Sequence, residues 1–189
     1  MQKIILASKS PRRSQLLQMA EIDFEVMVAE TDETYPADLP VQKVPQYIAL
    51  EKAYAVKAKI NANDSIIIAA DTIVTINNKI IGKPENRKHA IEILEELSGN
   101  THQVISGVAI LYKEKEYIFS ETTNVTFHFL NKEQIIHYVD NYHPFDKAGA
   151  YAIQEWIGAI GIKSIEGDYY NVVGLPVSKV VQALEEIDK

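Results

Sequence analysis

Residues 3–17 read KIILASKSPRRSQLL, and the order of residue types in this stretch decides the class of fold. Lys3 to Ala7 is a short apolar run that predicts a strand. Ser10 followed by Pro11 predicts a helix N-cap with proline at the first helical position, and the helix runs to about Met19. A strand that feeds a loop into a helix N-terminus is the opening unit of an α/β protein, and the free N–H groups at such a helix start favour an anion. Lys3, Lys9, Arg12 and Arg13 fall between Met1 and Ala20 with no acidic residue among them, in a chain whose net charge is −7. Cations in a first helical turn oppose the helix dipole. Either a bound phosphate offsets that misplacement or the arginines point to solvent; taken alone, the stretch leaves both readings open.

Outward from this start, "FEVMVAE" (24–30) alternates like a strand, "ETDETYP" (30–36) is an acidic loop, and residues 41–60 have helical spacing. "SIIIAADTIVTINNKIIGKP" (65–84) predicts an apolar strand that folds back at Asn77-Asn78, a pair that tolerates the left-handed conformation of a tight hairpin. A helix over about Arg87 to Leu97 ends before Gly99, a C-capping glycine. Strands occupy Val104 to Phe129 with a turn near Lys113 to Lys115. A helix near Lys132 to Tyr142, a loop over 143–154, a glycine-containing stretch and a final helix from about Pro176 complete the chain.

Composition narrows the function. The 189 residues contain 47% apolar and 24% charged residues and no cysteine, which describes an ordinary globular protein expected to form a single domain over residues 1–189. Disulfides, thiolate metal sites and cysteine nucleophiles are excluded. The acidic balance argues against general nucleic-acid or membrane-surface binding, so any anion site is local. No N-terminal run has the length of a signal peptide or a membrane span, and a cytoplasmic location is expected.

Two further residues contradict their surroundings. Asp71 interrupts an apolar strand, where an unpaired carboxylate is costly to bury, yet apolar residues resume at Ile73, Val74 and Ile76. Lys52 lies four residues from Ile48 and four from Val56, in the helical column that should face the core. Such a lysine either snorkels to solvent or meets an anion. Other motifs fail: "GKP" (82–84) lacks the upstream glycine of a Walker loop, the five histidines show no paired metal spacing, and no serine sits in a G-x-S-x-G elbow. Glu92, Glu95 and Glu96 read as the solvated face of a helix.

The blocks "LASKSPRR" (6–13), "TDE" (31–33), "ALEKA" (49–53), "AADTIV" (69–74), "GKP" (82–84), "SGNTHQVISGVAI" (98–110), "DKAGAYAIQ" (146–154) and "YNVVGLP" (170–176) follow one another in an order that resembles the Maf family. These are nucleoside triphosphate pyrophosphatases of the wider group that includes the inosine triphosphatases. The resemblance covers nearly the whole chain. It implies an α/β fold with an elongated mixed sheet flanked by helices, two lobes with a central cleft, a homodimer, and a divalent metal cation, Mg2+ or Mn2+.

Carried over by position, the resemblance implies that Ser8, Arg12, Lys52 and Lys83 hold the triphosphate, while Glu33 and Asp71 are catalytic and hold the metal. Asp71 is then the general base that activates water against the α-phosphorus, with pyrophosphate leaving. Arg13, Thr72 and Gln154 match positions that mark the branch hydrolysing dTTP and UTP, with modified pyrimidine nucleotides as further substrates. Two residues depart from the family pattern: Ala152 and Glu155 replace glycines on either side of Gln154. Ser106 stands where threonine is frequent, a conservative change given no role. The alternatives are a methylated-GTP pyrophosphatase of the same family and a non-catalytic nucleotide-binding regulator of septum formation. Two carboxylates beside a triphosphate would repel it unless a metal intervenes, which argues against a mere binder.

Overall fold

The computed structural model describes residues 2–60 and 64–187; the remaining positions of the expected 1–189 domain lie outside the described residues. Among the described residues, seven strands, β1 (Ile4–Leu6), β2 (Glu25–Val26), β3 (Ile66–Ile76), β4 (Lys79–Ile81), β5 (Thr101–Tyr112), β6 (Lys115–Phe127) and β7 (Ile162–Glu166), form one sheet. Its order is β2-β1-β3-β5-β6-β7, with β4 paired to β3 off this path. The sheet is mixed: β1 runs parallel to both β2 and β3, whereas β4 is antiparallel to β3 and β7 to β6. The helices are α1 (Pro11–Met19), α2 (Val44–Lys57), α3 (Arg87–Leu97), α4 (Lys132–Tyr142), α5 (Trp156–Gly161), α6 (Tyr169–Val173) and α7 (Val177–Ile187). Among the described residues, no helix is long and apolar enough to cross a membrane.

The chain divides into two compact units. Of the described residues, the first contains 2–60, 64–72, 106–121 and 174–187. Its core joins Ile5 of β1 and Ala7 just after it to Ile67 and Ala69 of β3, with Ala49, Ala53 and Val56 of α2 packed on them. Small side chains let α2 lie close to the sheet, and Gly107 of β5 marks the tightest point. A Cβ at Gly107 would stand 2.2 Å from the backbone nitrogen of Gln46, a clash that would have to displace the helix. This close seat places Lys52, nearly two turns further along α2, beside Asp71 of β3.

The second unit contains residues 73–105 and 122–173. Its core gathers Ala90, Ile93, Leu94 and Leu97 from α3 and Ile135, Tyr138 and Val139 from α4 against β3, β5 and β6. Asn86 caps α3 by accepting from the His89 N–H at 3.0 Å, and Asn131 and Gln134 form a reciprocal capping box at the start of α4. Asn77 and Asn78 take φ of 50° and 62°, the left-handed pair that a two-residue hairpin between β3 and β4 requires.

Several expectations need correction. The strand expected over 24–30 contracts to Glu25–Val26, because alternation alone gives no pairing partner beyond the short β1. Strand β5 begins at Thr101 rather than Val104. The loop 143–154 holds two short 3-10 turns, Pro144–Asp146 and Ala148–Ala150, and the glycine-containing stretch holds α5, β7 and α6, elements too brief for periodicity to reveal. Ser10 occupies the N-cap position of α1, but its side chain makes no capping bond.

His102, 1% exposed in the core of the second unit, places its Nε2 2.7 Å from the Tyr151 hydroxyl. Burial pushes its pKa from 6.5 down to about 4, so the folded protein keeps the ring neutral where the unfolded chain protonates it. Stability is therefore full above about pH 6.5 and falls as the pH drops toward about 4, with a slope for this group of at most about 1.4 kcal/mol per pH unit. Urea midpoints followed between pH 7 and 4.5 should decline less steeply in His102→Gln than in the parent.

Candidate active site

The loop that leaves β1 carries Ser8, which is 6% exposed. Its Oγ accepts from the Ser10 N–H at 3.2 Å and from Arg13 Nη1 at 3.1 Å, so the hydroxyl retains its own proton to donate. Because no side chain caps α1, its first-turn N–H groups remain available to an anion. Arg12 lies half-buried in that same turn.

Arg13 points into the first unit. Its Nε donates to the Gly174 carbonyl at 2.9 Å, its Nη1 to Ser8, and its Nη2 to Thr72 Oγ1 at 3.1 Å. Burial lowers the guanidinium pKa, and the charge of Asp71 works in the opposite direction; an arginine so paired stays cationic. Thr72 Oγ1 lies 2.8 Å from the Ser106 hydroxyl and 3.4 Å from the Gly174 carbonyl. Ser8, Arg13, Thr72, Ser106 and Gly174 thus form a single hydrogen-bonded network drawn from the loop after β1, the first turn of α1, the middle of β3 and of β5, and the residue that follows α6.

Beside it, β3 continues without a break through Asp71, so the residue is not a strand terminus. Its carboxylate is tolerated because Lys52 Nζ stands 2.7 Å from Asp71 Oδ1 and 2.8 Å from Glu33 Oε1. With a side chain only 16% exposed, Lys52 meets anions instead of snorkelling to solvent. Glu33 reaches it from the acidic loop with φ of 50°, a left-handed backbone that costs a non-glycine residue about 1 kcal/mol or more.

A family model described as Maf-like protein matches residues 3–187. The chain is 50% identical over 184 residues to the dTTP/UTP pyrophosphatase of Cytophaga hutchinsonii, covering 97% of this chain and 84% of the relative. It is 49% identical over 188 residues to that of Bacillus cereus, covering 100% and 97%. The chain belongs to the Maf family. The Ham1 protein of Staphylococcus aureus shares its fold, with a TM-score of 0.55 and 18% identity over 99% of this chain and all of that one.

Of the residues singled out from the sequence, this Maf structure brings Ser8, Arg13, Glu33, Lys52, Asp71 and Thr72 together in the first unit, with Arg12 in the adjoining helical turn. Lys83 and Gln154 belong to the second unit, where both are exposed, Lys83 just beyond β4 and Gln154 in the turn before α5. Ser106, given no role from sequence, is fully buried against Thr72, and Gly174, whose carbonyl lies 3.4 Å from Thr72 Oγ1, is buried as well. A serine-for-threonine exchange keeps the hydroxyl, which is the part the network uses. No pattern in the sequence announces a buried hydroxyl or a backbone carbonyl.

Among the described residues, no group of three or more His, Cys, Asp or Glu side chains could hold a metal. Glu33 and Asp71, brought onto one ammonium, supply hard carboxylate oxygens, and sites for Mg2+ commonly use one or two protein carboxylates with substrate phosphates completing the set. The donors present fit such an ion.

Ser106→Ala would deprive the buried Thr72 hydroxyl of one partner. Chemical denaturation should show a loss of about 1–2 kcal/mol, and Ser106→Thr should recover most of it.

Proposed function

We propose that the chain is a nucleoside triphosphate pyrophosphatase that converts dTTP and UTP to the monophosphate and pyrophosphate. The observation that carries this reading is the shared ammonium of Lys52 between Asp71 and Glu33, beside a helix start and an arginine network. It is a compact set of charges whose partners exchange when a polyanion arrives. The names of the relatives, which match at 45–50% identity over almost the whole chain, support the same substrate class.

In this mechanism Ser8, Arg12, Lys52 and Lys83 bind the triphosphate. Lys52 turns from the carboxylates to phosphate oxygens, which frees Asp71 Oδ1 to accept a proton from water. The water oxygen forms a bond to the α-phosphorus as the bond to the α,β-bridging oxygen breaks, and pyrophosphate departs. Cationic side chains offset the charge that grows on the phosphoryl oxygens. A Mg2+ or Mn2+ ion held by Glu33 and Asp71 would supply further charge neutralisation. Arg13, Thr72 and Gln154 select the base, with thymine and uracil preferred.

A pyrophosphate-release assay with Mg2+ or Mn2+ across a nucleotide panel should place dTTP and UTP well ahead of ATP and GTP. Equal rates on all bases would refute the base assignment, and release of orthophosphate would refute the reaction. Asp71→Asn should keep the fold and bind triphosphate at least as well as the parent, since it removes one negative charge facing a polyanion. Its single-turnover rate should fall by about 100- to 10,000-fold. Tight binding without turnover in the parent would instead support a nucleotide-binding regulator.

A further inference from the structure

Gln154 sits in a tight turn closed by the Glu155 N–H donating to the Ala152 carbonyl at 3.1 Å. Gln154 itself is exposed, whereas Ala152 and Ile153 are each 6% exposed. From α4, the fully buried Tyr138 reaches both corners of this turn. Its phenolic oxygen accepts from the Ala152 N–H at 3.1 Å, and its O–H donates to the Glu155 carboxylate. Burial, reinforced by the bond to Glu155, raises the pKa of the phenol, which keeps it a donor at any physiological pH.

Glu155 is tied twice. Besides Tyr138 it faces Lys147, whose Nζ lies 3.6 Å from Glu155 Oε1 and 2.8 Å from Asp146 Oδ1. Lys147 is only 8% exposed, so its ammonium depends on these carboxylates. Although Glu155 occupies the N-cap position of α5, its side chain makes no capping bond. The carboxylate is committed to Tyr138 and Lys147 in preference to the local partner that its position offers.

The peptide at Ile153 is held from the other side. A Cβ at Gly158 would lie 1.7 Å from the Ile153 carbonyl oxygen, so α5 presses directly on the turn's backbone. Neither departure from the family's glycines strains the chain. Glu155 has φ of −94° and Ala152 is not among the residues of positive φ, so a side chain fits both positions at no backbone cost.

We propose that Tyr138 and Glu155, backed by Lys147, are positioning residues that fix the Gln154 turn for discrimination among pyrimidine nucleoside triphosphates. This rests on Gln154 as a base-selecting residue. A carboxamide has a donor end and an acceptor end, and it distinguishes one base edge from another only when its backbone is held; on a loose turn it can present either end. The Tyr138 hydroxyl supplies that hold by gripping the residues on both sides of Gln154.

The test uses the full chain with Mn2+ and compares kcat/KM for dTTP and dCTP in the parent, Glu155→Gln, Glu155→Ala, Tyr138→Phe, Gln154→Ala and the double variant Glu155→Ala with Gln154→Ala. Thermal melts establish that each is folded. Glu155→Ala should lower the dTTP:dCTP ratio by roughly 10-fold, mainly through KM. Glu155→Gln, which still accepts from Tyr138, should retain most of the ratio. In the Gln154→Ala background, Glu155→Ala should change the ratio no further, because both act through one side chain. Should Tyr138→Phe fail to fold, the Glu155 variants, whose side chain is already a quarter exposed, decide the question. A parent that prefers dTTP and a Glu155→Ala variant that keeps the full preference would overturn the positioning role alone. Equal loss on both nucleotides, or additive effects with Gln154→Ala, would also overturn it. A parent without base preference would overturn the base reading and this role with it.

Discussion

A carboxylate in the middle of a buried strand needs a cation, and much of the first unit is arranged to provide one. Asp71 lies within the eleven-residue β3, between Ala70, which is fully buried, and Thr72. An ionised group there without a partner would cost several kcal/mol. Lys52 meets that need only because α2 lies close to the sheet, which in turn depends on alanines at 49 and 53 and on the bare backbone at Gly107. Glu33 then completes a charge set of two acids and one base.

Arg13 plays a comparable part in the adjoining network. Its planar fork reaches a side chain from the β1 loop, a side chain from β3 and a backbone carbonyl before α7. A lysine would offer one point of charge and could not span the three. Site and scaffold therefore share residues, and a substitution that disturbs the chemistry here also disturbs packing.

The elements legible in the sequence are those with a long enough pattern. Helix α4 and the hairpin at Asn77-Asn78 fall where periodicity and turn chemistry place them, and α3 ends just ahead of Gly99, whose φ is +71°. Asp71 and Lys52 were legible because each is a charge in an apolar frame. That they are bonded to each other was not, because nothing local relates residues 52 and 71. The strand expected over 24–30 was legible but its short extent, Glu25–Val26, was not, because that follows from how much of β1 is left to pair with. Ser106 and Gly174 escaped for a different reason: a hydroxyl and a carbonyl acquire meaning only from what the fold brings beside them. The Glu155 carboxylate looked like a loss of glycine and proves to be a gain of two partners.

The chain passes between its two compact units four times, at 72/73, 105/106, 121/122 and 173/174. Thr72, Ser106 and Gly174, the residues that converge with Arg13, stand at three of those passages. Neither unit is a continuous stretch of sequence, so no single genetic crossover can exchange one for that of a relative. A chimaera with a breakpoint between 72 and 106 would join a threonine from one parent to a serine or threonine from the other inside one hydrogen-bonded cluster. The two units therefore descend together, and divergence must proceed by point substitution around a hydrogen-bonded network whose members, Ser8, Arg13, Thr72, Ser106 and Gly174, all belong to the first unit.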